Sequence, residues 1–144
     1  MSMTGLYVGS FNPFHKGHYD ILCKAKDIFD DVIIGVGVNA KKDSKNQYLL
    51  VADELSLKLP NDIIMPYSGL VTDFITGLEK DWGGVTLVRG LRNSKDLENE
   101  QDYYRYLKDI KPNIKMVTIF SDEKYLHYSS SSIKTLPVEL KKNI

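Results

Sequence analysis

The chain has 144 residues, 42% of them hydrophobic and 26% charged, the profile of one globular domain with a buried core, which excludes a disordered chain. Its 19 basic and 19 acidic residues leave a formal net charge of zero, which speaks against a broad electrostatic surface for nucleic acid. The single cysteine, Cys23, rules out a disulfide framework and a cysteine zinc cluster and is expected as a small core residue; with no signal-peptide pattern in MSMTGLYVG and no apolar run long enough to span a bilayer, a soluble cytoplasmic protein is expected, with neither membrane nor nucleic acid as partner.

Leu6–Val8 predicts a first buried strand. Ile21, Leu22, Ala25, Ile28 and Phe29 then recur at helical spacing and predict a helix from Gly17 to Phe29. Val32–Val38, rich in β-branched residues, predicts a second strand, followed by a polar loop at Lys41–Gln47. Ile63–Pro66 is a third, short strand, and LVTDFITGL (Leu70–Leu78) a helix after it. VTLV (Val85–Val88) is a fourth strand, entered through Gly83-Gly84. Leu97, Tyr104, Leu107 and Ile110 suit a long polar helix from Ser94 to Ile110, stopped by Pro112; MVTIF (Met116–Phe120) is a fifth strand, and a serine-led helix starts near Ser131. Strands alternating with helices predict an α/β fold: one Rossmann-like domain, a five-stranded parallel sheet with helices on both faces. Ligands of such sheets bind beyond the carboxyl ends of the strands, so 9–18, 39–48, 67–71, 89–100 and 121–132 are the segments to search.

The first of these, GSFNPFHKGH (residues 9–18), follows a strand and opens a helix. Three readings are open: a metal-ligand pair, a glycine turn with two surface histidines, or a phosphate cradle on the unpaired N–H groups of a helix start. Gly9 would let the backbone approach a ligand, and Gly17 would relieve crowding. His15 and His18 could share a helix face, but the only other histidine is His127, and no cysteine or carboxylate cluster supplies further metal ligands. In VRGLRNSKDLENE (88–100), Arg89 and Arg92 offer planar donor forks suited to phosphate, or simply pair with Asp96, Glu98 or Glu100. In YLHYSSSSIK (125–134), serines ahead of Ile-Lys could cap a helix and bind phosphate, or form a plain loop.

H-x-G-H behind a G-[ST]-F-[DN]-P turn resembles the signature of the nucleotidylyltransferase superfamily. With R-G-L-R, the D-x-E-x-E run and the serine element in this order, the chain resembles the phosphopantetheine adenylyltransferases over nearly its whole length. The resemblance implies transfer of an adenylyl group from ATP to 4′-phosphopantetheine, giving dephospho-coenzyme A and pyrophosphate in coenzyme A synthesis. The attack would be in line, without a covalent enzyme intermediate, and Mg²⁺ would accompany ATP. It makes His18, Lys42 and Arg92 the catalytic candidates. Ser10, Phe11, His15, His18, Gly90, Leu91, Arg92, Glu100, Tyr125, Ser129, Ser130 and Ser131 would hold ATP. Ser10, Lys42, Leu70, Val71 and Arg89 would hold the acceptor, with Leu70 and Val71 of YSGLVTDF (67–74) against the pantetheine arm. Dephospho-coenzyme A or coenzyme A are further expected ligands, no metal site of the protein's own is expected, and the assembly implied is a homo-oligomer, hexameric by resemblance.

GVGVNA nominally matches a dinucleotide fingerprint through Gly35, Gly37 and Ala40, but those glycines lie within a strand and a polar loop follows, so we read them as allowing close packing beside the nucleotide. No P-loop pattern is present. The chain departs from the family pattern at Asn12, where most members carry aspartate, at Asn99, often an aromatic, and in the shorter stretch after SSIK. The rival readings are a nucleotidylyltransferase with another acceptor, such as nicotinamide mononucleotide or glycerol 3-phosphate, and a non-catalytic nucleotide-binding regulator.

Overall fold

The computed structural model describes residues 3–38, 46–122 and 124. Nine elements follow in chain order: β1 (Thr4–Gly9), α1 (Lys16–Ile28), β2 (Asp31–Val36), α2 (Gln47–Lys58), β3 (Ile63–Pro66), α3 (Val71–Trp82), β4 (Val85–Leu91), α4 (Ser94–Ile110) and β5 (Met116–Phe120). The sheet has the order β3-β2-β1-β4-β5, and every neighbouring pair runs parallel. Central β1 is paired along both edges, Thr4 standing opposite Asp31 on one side and Val85 on the other.

Strand alternation sorts the core into two layers. Tyr7, Ile34, Val36 and Val88 meet Ile21, Leu22 and Ala25 of α1 and Val51, Ala52 and Leu55 of α2. Leu6, Val8, Ile33 and Leu87 point the other way, onto Val71, Ile75 and Leu78 of α3 and Leu107 of α4. Leu6, Ile33 and Leu87 are fully excluded from water, each contributing roughly 1.5–3 kcal/mol by burial. The expected parallel sheet with helices on both faces is therefore present.

The differences from the expected elements have local causes. Helix α2 was not expected: in QYLLVADELSLK the apolar residues run all round the helix, with Val51, Ala52 and Leu55 buried but Leu49, Leu50 and Leu57 exposed, so no clean period appears. Strand β2 stops at Val36 and β4 continues through Arg89-Gly90-Leu91 to pair with β5, so the R-G-L run is strand, not loop. Cys23 and Ile28 lie on the outer side of α1 and are exposed, as is Ile110 on α4; a periodic match does not say how far round a helix the core reaches.

Close packing of α1 on the sheet depends on glycines facing it. A Cβ at Gly5 would lie 2.8 Å from the buried ring of Phe29, and one at Gly90 would lie 3.0 Å from Ile21. Gly5→Ala therefore overpacks a site with no slack and is expected to cost about 1–3 kcal/mol of stability, read as a lowered urea midpoint with unchanged slope; an unchanged midpoint would contradict this packing.

Candidate active site

The strand order reverses direction between β1 and β4, and the segments leaving their carboxyl ends diverge there. The turn after β1 is built around Phe11. Its φ of 48° lies in the left-handed region, a conformation that costs on the order of 1 kcal/mol for a non-glycine residue. The ring is buried, with Tyr7, Phe14 and His18 around it at centroid distances of 5.1, 5.6 and 5.0 Å. A Cβ at Gly9 would come within 3.0 Å of that ring, so Gly9 makes room for Phe11 rather than for a ligand. Any contact of Phe11 with a nucleotide must come from its main chain. The peptide between Asn12 and Pro13 is cis.

His15 is the N-cap of α1. Its Nδ1 accepts from the N–H of Gly17 at 3.1 Å and of His18 at 3.4 Å, while the N–H of His15 donates to Nδ1 of His18 at 3.1 Å. This is a reciprocal capping box made by two imidazoles instead of a hydroxyl and a carboxylate. Two first-turn N–H groups expected to be open to an anion are thereby taken up within the protein. Both Nδ1 atoms act as acceptors, so each neutral ring carries its proton on Nε2. The rings stack at 3.6 Å with 22° between their planes. Burial pushes His15 down to about 4, with the charges of Arg92 and Lys58 acting in the same direction. Burial likewise holds His18 well below its ordinary value, helped by His15 and Arg92. At neutral pH both rings are thus uncharged, and His15 is a buried cap rather than a surface histidine.

Arg92, just past β4, brings the second motif to the first: its charge acts on both histidines. Its N–H and Nε donate to Asp96 Oδ2 at 2.9 and 3.0 Å, and Nη2 to Oδ1 at 3.3 Å. Although burial opposes ionisation of Asp96, these bonds hold its carboxyl below the usual range. Asp96 is itself placed by Asn93, the N-cap of α4, whose Oδ1 accepts from its N–H at 3.0 Å. Gly90 faces α1, so by alternation Arg89 faces α3 and α4. There its Nε and Nη2 donate to the two oxygens of Glu100, both at 2.9 Å, and its guanidinium lies 5.2 Å from the ring centroid of Tyr103. Burial alone would lower the Arg89 pKa, but Glu100 outweighs it and the net shift is upward. Both arginines are thus paired with acids of α4, as the plain reading allowed, while Nη1 of each makes no hydrogen bond among the described residues.

Glu100, expected to hold ATP, is the anchor of Arg89 here. Ser10 lies half-buried at the end of β1, and Leu91 is buried. Leu70, the N-cap of α3, is 45% exposed, whereas the Val71 side chain is in the core, which leaves its main chain at the helix start to meet an acceptor. Gly69 before it has φ 82° and nothing within 4 Å of a Cβ, so this turn needs glycine for conformation, not for space. Gly35 and Gly37 are filled by Phe74 and Tyr67 rather than by a nucleotide. Lys42, His127, Tyr125, Ser129, Ser130 and Ser131 lie outside the described residues. Sequence reading passed over Tyr67, stacked on Phe74 at 4.5 Å, and Tyr103; the signal for the latter was its spacing of three from Glu100 on a predicted helix.

The histidine pair predicts a pH effect with a definite sign. An unfolded histidine titrates near 6.5, so between that value and about 4 the unfolded chain binds the proton that folded His15 refuses. Stability is then lost as pH falls through this window, by up to about 1.4 kcal/mol per pH unit for such a group. His15→Asn keeps a capping acceptor but has no titration, and should flatten the slope of denaturation free energy against pH between 6.5 and 4. An unchanged slope would contradict the buried neutral cap.

A family model described as cytidylyltransferase-like matches residues 6–136. Curated phosphopantetheine adenylyltransferases are similar across almost the whole chain: that of Rhodopirellula baltica is 31% identical over 91% of this chain and 73% of its own length. That of Lactiplantibacillus plantarum is 32% identical over 92% and 80%. Among solved structures, a putative nicotinate-nucleotide adenylyltransferase from Vibrio parahaemolyticus shares the fold, with a TM-score of 0.61 over 96% of this chain and 85% of its own, at 11% identity. With H-x-G-H and R-G-L-R meeting at the switch point of such a sheet, the chain belongs to the phosphopantetheine adenylyltransferase family, within the cytidylyltransferase-like proteins.

Proposed function

We propose that this chain joins the adenylyl group of ATP to 4′-phosphopantetheine, releasing pyrophosphate and giving dephospho-coenzyme A. The observation that carries the reading is the pair of neutral, stacked histidines under the influence of the Arg92 charge, beyond the strand ends where the order of the parallel sheet reverses. An oxygen of the acceptor phosphate attacks the α-phosphorus of ATP, and the bond to the bridging oxygen of pyrophosphate breaks. The attacking phosphate is already ionised, so the chain supplies orientation and hydrogen bonds rather than a strong base. His18 is suited to donate from Nε2 to an α-phosphate oxygen as charge grows there, because its Nδ1 is held by the backbone of His15 and cannot compete for the proton. Arg92, Ser10 and the main chain of Phe11, Gly90 and Leu91 would serve ATP, together with Tyr125 and Ser129–Ser131. Arg89 and Lys42 would take the acceptor phosphate, and Leu70 with the start of α3 the pantetheine arm.

Mg²⁺ belongs to this proposal as an ion carried by the phosphates of ATP and by water. Among the described residues no group of three or more histidine, cysteine or acidic side chains could hold a metal, and Asp96 and Glu100 are engaged by arginines, so the chain offers no cage there and no step is routed through the ion. Among the described residues no helix is long and apolar enough to cross a membrane. Exposed Leu49, Leu50 and Leu57 on α2 are what supports the homo-oligomer, hexameric by resemblance, that light scattering would measure.

His18→Asn leaves an oxygen where Nδ1 accepts but removes Nε2–H. Loss of one such donor costs about 10²–10³ in turnover, so kcat is expected to fall by that much with the fold intact; near-normal turnover would remove His18 from this role. Pyrophosphate release from ATP, measured with a panel of phosphorylated acceptors, tests the substrate. Activity with 4′-phosphopantetheine supports the proposal, activity only with nicotinamide mononucleotide or glycerol 3-phosphate replaces it, and nucleotide binding without turnover identifies a regulator.

A further inference from the structure

Arg89 is gripped on two sides. Glu100 takes Nε and Nη2 in a bidentate pair, which fixes the guanidinium within its own plane, and the ring of Tyr103 lies across it at 5.2 Å. Glu100 and Tyr103 are three apart on α4, so one face of one helix supplies both holds. Their consequences differ. The carboxylate competes with any incoming phosphate for the same donors and cancels the charge of the arginine. The aromatic face attracts the cation through its quadrupole and leaves the charge in place. It also resists tilting of the fork out of the plane it shares with Glu100, a motion that an anion pulling on Nη1 would otherwise drive. Tyr103 is half-buried and packs against the α3 and α4 side of the core, so the ring is itself held.

We propose that Tyr103 is a positioning residue: it holds the Arg89 guanidinium in place, with Nη1 presented to the phosphate of the acceptor substrate. The inference rests on the adenylyltransferase reading and goes beyond it by naming a side chain that works through Arg89 and carries no charge of its own.

The test compares Tyr103→Phe, which keeps the ring, with Tyr103→Leu, which does not; Tyr103→Met replaces the latter should it fail to fold. Steady-state kinetics are run with ATP and 4′-phosphopantetheine, and the Arg89 Nε–H resonance is followed by NMR. Loss of the ring is expected to raise KM for the acceptor about fivefold to twentyfold, with kcat and KM for ATP within about twofold. Tyr103→Phe should stay within about twofold of the parent in all three. The Nε–H proton should keep its ring-current shift in Tyr103→Phe and lose it in Tyr103→Leu. An unmoved acceptor KM in an active Tyr103→Leu enzyme overturns the inference, as does equal damage in Tyr103→Phe, or a joint rise in both KM values with a lowered Tm. Absence of turnover in the unaltered protein overturns the reading beneath it instead, so the two failures are distinguishable.

Discussion

Parallel pairing of β1 with both β2 and β4 is the constraint from which the site follows. A parallel return cannot be made by a tight turn, so each pairing needs a crossover, and β1 at the centre sends one set of helices to each face. The chain leaving β1 therefore goes to the α1 side while the side chains at the end of β4 split by alternation, Arg89 toward α3 and α4 and Gly90 toward α1. The two sides of the switch point therefore carry chemically distinct groups. One side carries the histidines and Arg92, the other Arg89 with Tyr103 and Tyr67.

The polar groups of the site satisfy one another. The histidine cap takes up two helix N–H groups and, by doing so, decides which nitrogen of each ring carries hydrogen. Burial then keeps both rings neutral, and the positive charge of Arg92 reinforces it. The start of α1 is accordingly no bare helix terminus, since two of its N–H groups are taken up by an imidazole nitrogen, and Arg89 and Arg92 are already paired with acids of α4. The burial of Phe11 under Gly9 stabilises the left-handed backbone from which this arrangement starts.

Pairing of Arg89 with Glu100 and of Arg92 with Asp96 orders both guanidinium groups before any ligand arrives. An ion pair left partly open to solvent, such as that of Arg92 with Asp96, adds little to stability. The value of both pairs here is geometric, since a planar fork held along one edge presents its other edge in a fixed direction. Helix α4, polar over most of its length and held to the core chiefly by Leu107, is therefore also the element that sets the arginines.

Much of the molecule was legible in the sequence. Ile63–Pro66, Ser94–Ile110 and Met116–Phe120 have the expected bounds; Pro66 closes the first, Pro112 stands two residues past the second, and the third is a short apolar run between polar neighbours. H-x-G-H and R-G-L-R likewise marked the two sides of the switch point, since glycine and charge patterns at strand ends are local properties. Helix α2 escaped because apolar residues on all sides of it erase the period that a core-facing stripe would show. Only the tertiary structure decided that Gly9, Gly35 and Gly37 admit protein side chains rather than a nucleotide, and that Glu100 serves Arg89. It also decided that His15 caps the helix His18 sits on, and that Tyr103 underlies an arginine on a different element. Spacing along a chain names the groups available to a site; which of them meet, and which nitrogen bears the proton, depends on contacts across the fold and on the water that packing excludes.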